Sequence, residues 1–189
     1  MAGHDGGIAR LIHINGLPGI GKSSLAEEFA RRRPLALVVE IDLLRTQLGH
    51  WEERPESRLV ARDLAIALID SHLGFGHDVV VPQFLGRVEF IERLEGAALA
   101  AGVSFVEVML VGEPESAVER FRARRALLAG RSHPESDVAE SEVESMIVTA
   151  AAALADVYDQ RPKVRRVAAK GDAEGTCSAL MAALGEPDD

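Results

Sequence analysis

The 189-residue sequence predicts an α/β fold, a three-layer doubly wound parallel sheet of about five strands. Three observations predict it. Short, almost continuously apolar runs recur along the chain, as strands buried on both faces of a parallel sheet require. Longer segments of helical periodicity separate them, so right-handed crossovers join consecutive strands. A glycine-rich stretch links the first apolar run to the first helical one, at the end of the strand where open α/β sheets bind ligands.

The first strand is expected over residues 11–15, and a helix follows over 22–32 with Leu25, Ala26 and Phe29 inward. Residues 36–41 read as the second strand, followed by helices over 43–48 and 58–73. The third strand covers 78–82 and its helix 88–101. The fourth covers 105–111, before a helix over 114–128. A polar interruption over 130–137 leads to an alanine-rich packing helix over 140–158, with Met146, Ile147, Leu154 and Val157 inward. Residues 164–168 form the last strand and 173–184 the last helix, and residues 186–189 are expected to fray. One domain over 1–189 accounts for this order.

The composition is that of an ordinary globular chain, 47% hydrophobic and 27% charged. A net charge of −9 argues against a broad nucleic-acid or anionic-membrane surface. No run approaches the roughly 18–20 apolar residues of a membrane span, and the first fifteen residues lack the basic start of a signal peptide. With Cys177 as the only cysteine no internal disulfide forms, and a reducing, cytoplasmic setting follows. The histidines lack zinc spacing, and the serines lack the setting of an acyl-transfer nucleophile.

The sharpest signal is Gly16-Leu17-Pro18-Gly19-Ile20-Gly21-Lys22-Ser23, which fits G-x-x-x-x-G-K-[ST] at every fixed position, between a strand and a helix. Glycines let backbone N–H groups wrap phosphates, and the helix start adds the positive end of its dipole. The expected ATP contacts are Gly16, Pro18, Gly19, Ile20, Gly21, Lys22, Ser23 and Ser24. Lys22 reaches the β- and γ-phosphates, and the Ser23 hydroxyl binds Mg2+.

The next informative stretch is Glu40-Ile41-Asp42-Leu43-Leu44-Arg45. A carboxylate just past a strand can orient an attacking hydroxyl, take its proton and help hold magnesium. Arg45, a helical turn later, can hold a polar or anionic substrate. The alternative is that Asp42 caps the helix and pairs with Arg45. The third strand runs into Pro82-Gln83-Phe84, with no acidic residue at its end, so magnesium would rely on Ser23, phosphate oxygens, water and Asp42. Gln83 can contact substrate or water through its amide, with Phe84 and Arg87 beside it, or simply close the strand. Trp51 reads either as a substrate wall or as a cap on the core.

Glycine loop followed by acidic-x-Asp-x-x-Arg resembles the P-loop small-molecule kinases. That group includes chloramphenicol phosphotransferase, gluconate kinase, adenylylsulfate kinase, the kinase half of polynucleotide kinase and the zeta-toxin sugar-nucleotide kinases. Glu40 stands where the adenylylsulfate kinase pattern has an aspartate. The resemblance implies a P-loop kinase fold with a helical lid, here over about residues 120–138. It implies ATP and Mg2+ as cofactors, a small-molecule hydroxyl acceptor, Asp42 as the activating base and Arg45 as a substrate contact. It places the arginines of Glu119–Arg125 and Arg131 over the phosphates: Arg124 on the transferred group, Arg120 on the adenine side. It also puts Lys170, after the last strand, beside the base. The alternatives are a solvated basic helix face and a plain helix-starting turn.

The leading expectation is a kinase with Lys22, Asp42 and Arg124 as catalytic residues, Asp42, Arg45 and Gln83 holding the acceptor, and Ser23 with Asp42 at the metal. A nucleotide-binding NTPase or switch without an acceptor is the second, and a polynucleotide 5′-hydroxyl kinase the third. Neither nucleic acid nor membrane is an expected partner, and a homodimer stays open.

Overall fold

In the computed structural model, the described residues are 9–128, 130, 133–136 and 138–185. The expectations for Arg131, for residues 186–189 and for part of the 120–138 lid (residues 129, 131, 132 and 137) lie outside them. Five parallel strands stand in the order β2-β3-β1-β4-β5: β1 (Arg10–Asn15), β2 (Leu37–Val38), β3 (Val79–Pro82), β4 (Ser104–Val111) and β5 (Arg165–Ala168). The helices are α1 (Lys22–Arg32), α2 (Ile41–Thr46), α3 (Ser57–Leu73), α4 (Val88–Ala100), α5 (Pro114–Leu127), α6 (Val143–Gln160) and α7 (Ala173–Leu184). A 3-10 turn, Glu140–Glu142, leads into α6. None of the described helices is long and apolar enough to cross a membrane.

β1 pairs with β3 on one side and β4 on the other, which explains why Leu11, Ile12 and Ile14 are fully buried. Its residues alternate between two cores. Ile12 and Ile14 meet Leu25 and Phe29 of α1, Leu154 of α6 and Leu180 of α7. Leu11 faces the other way, toward Ile69 of α3 and Ile91 and Leu94 of α4. Each such side chain, fully buried, stabilises the fold by roughly 1.5–3 kcal/mol. The strand order changes direction beside β1, so its C-terminal end opens the crevice where ligands bind in this class of sheet.

Two expectations need correction. The second strand, expected over 36–41, is only Leu37–Val38, because β2 is an edge strand paired on one side with β3. One further ladder bond, from Val39 N–H to the Val80 carbonyl, ends it. The following helix therefore starts at Ile41 rather than residue 43, and Asp42 lies in its first turn, where the dipole favours a carboxylate. Met146 is the other difference. Ile147, Leu154 and Val157 are buried as expected, but Met146 is half-buried and lines a cavity.

Candidate active site

The glycine loop bends tightly between β1 and α1. Gly16 has φ +147° and lies so close to β4 that a Cβ there would sit 2.7 Å from the Leu110 carbonyl oxygen. Gly21, at φ +108°, is the left-handed residue that turns the loop into α1. Lys22 is buried, its ammonium donating to the carbonyls of Gly16 (3.0 Å) and Leu17 (2.9 Å). Burial, then the nearby Arg124 guanidinium, lowers its pKa to about 7, while Glu135 and Asp42 pull the other way. Asp42 is thus close enough to feel the Lys22 charge.

β1 also anchors the neighbouring loop, through two residues the sequence reading did not single out. Buried Asn15 accepts from the N–H groups of Gly16 (2.9 Å) and Leu85 (3.1 Å) and donates to the Leu85 carbonyl (3.0 Å). His13, fully buried, lies 3.1 Å from the Gln83 carbonyl oxygen through Nε2. A carbonyl only accepts, so Nε2 carries the proton. Burial holds the pKa of His13 down to about 4, leaving the ring neutral. A polar residue inside an apolar strand was the available signal for both, since a buried polar group needs a partner.

Gln83, fixed through its backbone, donates from its amide to Asp42 Oδ2 at 3.1 Å. Asp42, Gln83 and Arg45 line one cavity of about 260 Å³, between α2, α3 and the end of β3. Arg45 lies 4.5 Å above the ring of buried Trp51 and donates from Nε to Ser57 Oγ at 2.9 Å, so Trp51 supports Arg45 from behind and does not itself line the cavity.

Ser23 Oγ donates to Glu40 Oε2 at 2.9 Å. Glu40, which the sequence reading treated only as a departure from a pattern, thus brings a carboxylate to the loop serine, the place left open by the missing acid at the end of β3. Hydroxyl and carboxylate oxygens are hard donors that suit magnesium, which takes its other ligands from phosphates and water. Among the described residues no three His, Cys, Asp or Glu side chains group to hold a metal unaided.

On the other side of the loop, a cavity of about 350 Å³ is lined by Gly19, Ile20, Gly21, Ser23, Ser24, Arg120 and Arg124, and closed by the loop after β5. Arg120 spans it, donating to the carbonyls of Ile20 and Gly171, both at 3.4 Å. Arg124 forms a two-pronged ion pair with Glu135 of the 130–138 segment, a partner no sequence pattern signalled. Lys170 is exposed and does not line this cavity; its backbone N–H donates to Thr176 Oγ1 at 2.9 Å. Pro18 lines a third and larger space, of about 890 Å³, between the β3–α4 loop and α6.

Residues 11–152 match the family described as AAA domain. The adenylate kinase of Thermus thermophilus is 28% identical, covering 94% of this chain and 98% of that protein. A gluconokinase from Sinorhizobium meliloti 1021 has a similar structure, with a TM-score of 0.61 at 21% identity over 94% of this chain and 93% of its own. The tunicamycin resistance protein of Deinococcus radiodurans gives 0.56 at 18% identity, over 95% and 97%. At these identities the two structures speak for the fold alone.

Proposed function

The chain belongs to the AAA-domain family of P-loop kinases, and from that premise we propose that it transfers the γ-phosphoryl group of ATP to a hydroxyl of a small molecule. One observation carries the reading: the Asp42 carboxylate, held by Gln83, lines a cavity while lying within the field of Lys22. A carboxylate so placed can orient a hydroxyl toward the γ-phosphate and take its proton.

The acceptor oxygen attacks the γ-phosphorus as the bond to the β,γ-bridging oxygen breaks. ADP leaves with that electron pair, and the hydroxyl proton passes to Asp42. Little covalent work falls to the protein, so positioning and charge stabilisation carry the catalysis. Lys22 exchanges its loop carbonyls for phosphate oxygens, Arg120 holds the nucleotide, and Arg124 leaves Glu135 to meet the transferred group. Ser23 and Glu40, with Asp42 as second carboxylate, would hold magnesium, which supplies neutralisation of the β- and γ-phosphate charge when bound.

A second reading, transfer to the phosphate of a nucleoside monophosphate, draws on the similarity to an adenylate kinase. Asp42 favours the first reading, since an attacking hydroxyl has a proton for a carboxylate to take and a phosphate dianion has none. The test follows label from γ-labelled ATP with magnesium into hydroxylated metabolites, nucleosides and AMP, for wild type and Asp42→Ala. Label in an alcohol with wild type only is the expected result. Label on the AMP phosphate would favour the second reading, and label only in inorganic phosphate, equally with both proteins, a nucleotide hydrolase.

A further inference from the structure

The acceptor side carries more positive charge than a neutral alcohol needs. Arg45, Arg58 and Arg62 all line the cavity that holds Asp42, in a chain of net charge −9. Arg45 is committed to Trp51 and Ser57, but Arg58 and Arg62 make no hydrogen bond or ion pair with any described residue. Asp63, next to Arg62 in sequence, is taken by Arg93 at 2.8 Å, and Glu56, two residues before Arg58, lies 3.9 Å from Arg54. Arg62 lies with its guanidinium 5.1 Å from the Phe90 ring centre. Stacking of that kind orients the group while leaving its N–H edge available to a planar acid. Among the described residues Asp42 is the one carboxylate lining this cavity, and it is held by Gln83.

Arg62 also lines the 890 Å³ space, so the two cavities meet at its side chain. Among the described residues the larger one is walled by Phe84, Leu85, Phe90, Met146 and Ala153, with Glu89 and Glu142 as acids and Arg87 as a second arginine. Set against that apolar wall a polyol would leave hydroxyls unpaired, at a cost of roughly 1–3 kcal/mol each, whereas an apolar group gains by leaving water.

We propose that the acceptor is a hydroxylated organic anion with an apolar body. Its acid group lies between Arg58 and Arg62, its body against Phe84, Phe90 and Met146, and its hydroxyl at Asp42. The assignment rests on the transfer reading above, and it adds Arg58, Arg62 and the Phe84–Met146 wall as specificity determinants.

The test crosses the two properties: 3-phenyllactate (acid and body), 3-phenylpropane-1,2-diol (body), glycerate (acid) and glycerol (neither). The 1-phosphate of the phenylpropanediol is added to tell a carboxylate site from a phosphate site. Binding is measured by calorimetry, and emission of Trp51, the only tryptophan, locates it beside Arg45. The acid group and the body are each expected to tighten binding about tenfold. Arg62→Gln should remove the acid's factor alone, and Ala153→Phe the body's alone, with melting temperatures checked for both. Equal binding of diol and acid, of glycerate and phenyllactate, binding without a Trp51 response, or no binding at all would each overturn the proposal. Label transfer from ATP is scored separately. Binding as expected with no transfer to any hydroxyl would remove the kinase reading and keep the anion site. Equal transfer to diol and acid would keep the kinase reading and remove the anion site.

Discussion

In the proposed site the phosphate loop is one uninterrupted segment, residues 16–24, joined across its cavity by Arg120 and Arg124 of α5, whereas the acceptor side is assembled from α2, α3 and the loop between β3 and α4. The first is made mostly of backbone, so its sequence is confined to glycines, a lysine and a serine. The second is made of side chains brought together by the sheet, with Asp42 reaching Gln83 across 41 positions. Phosphates look alike in every nucleotide, and a loop that binds them can be written as a motif. Acceptors differ, and the surface that selects one has no fixed spacing.

The largest effect should fall on the phosphate side. Lys22→Ala removes the cation for the transferred group and should lower kcat at least about a thousandfold, without lowering the melting temperature. Loss of folding in that variant would undo the claim that the lysine serves the ligand. On the acceptor side Asp42→Asn keeps the shape and the contact with Gln83 but cannot take a proton. A fall in kcat of about a hundredfold with little change in the ATP KM is expected. An unaltered kcat would strip Asp42 of its role and leave the acceptor side as a binding surface only.

The scaffold beneath the acceptor loop can be probed through His13. Its native pKa of about 4 lies below the ordinary 6.5, so the unfolded chain binds the extra proton between those values. Its contribution is present above about pH 6.5 and lost as pH falls toward 4, a loss on the order of 3 kcal/mol. His13→Gln keeps a donor for the Gln83 carbonyl without titrating. Urea unfolding of both proteins at pH 7 and pH 5 should show wild type losing stability that the variant keeps. Parallel pH profiles would contradict the buried neutral ring.

The same contrast decides what could be read from the sequence. Alternating apolar runs and helical segments gave the number of strands and their succession along the chain, but not their order in the sheet, because burial on both faces marks a central strand such as β3 without naming its neighbours. Gly16–Ser23 declared itself because backbone geometry restricts each position. Asp42 was legible as a residue, but its position in the first turn of α2 was not, since the short edge strand β2 ends where its single partner stops pairing. Glu40 and Glu135 went unnoticed as partners of Ser23 and Arg124, because both contacts are made across the fold by residues with no characteristic spacing.

The smallest expected effect is the most specific to the phosphate side. In the free protein Lys22 is neutral over much of the range above pH 7, since burial and Arg124 hold its pKa at about 7. Phosphate oxygens in place of the Gly16 and Leu17 carbonyls favour the ammonium and raise that value. Nucleotide binding should therefore take up close to one proton at pH 8, and affinity should weaken up to about tenfold for each pH unit above 7. Calorimetry of ADP binding in buffers of different ionisation enthalpy counts the proton directly. Arg124→Ala removes the neighbouring positive charge, so Lys22 starts more fully charged and the uptake at pH 8 should shrink. A wild-type uptake near zero would mean that Lys22 is already an ordinary charged lysine before the nucleotide arrives. The loop would then bind phosphate as a preformed cation site, and the contrast with the acceptor side would rest on backbone alone.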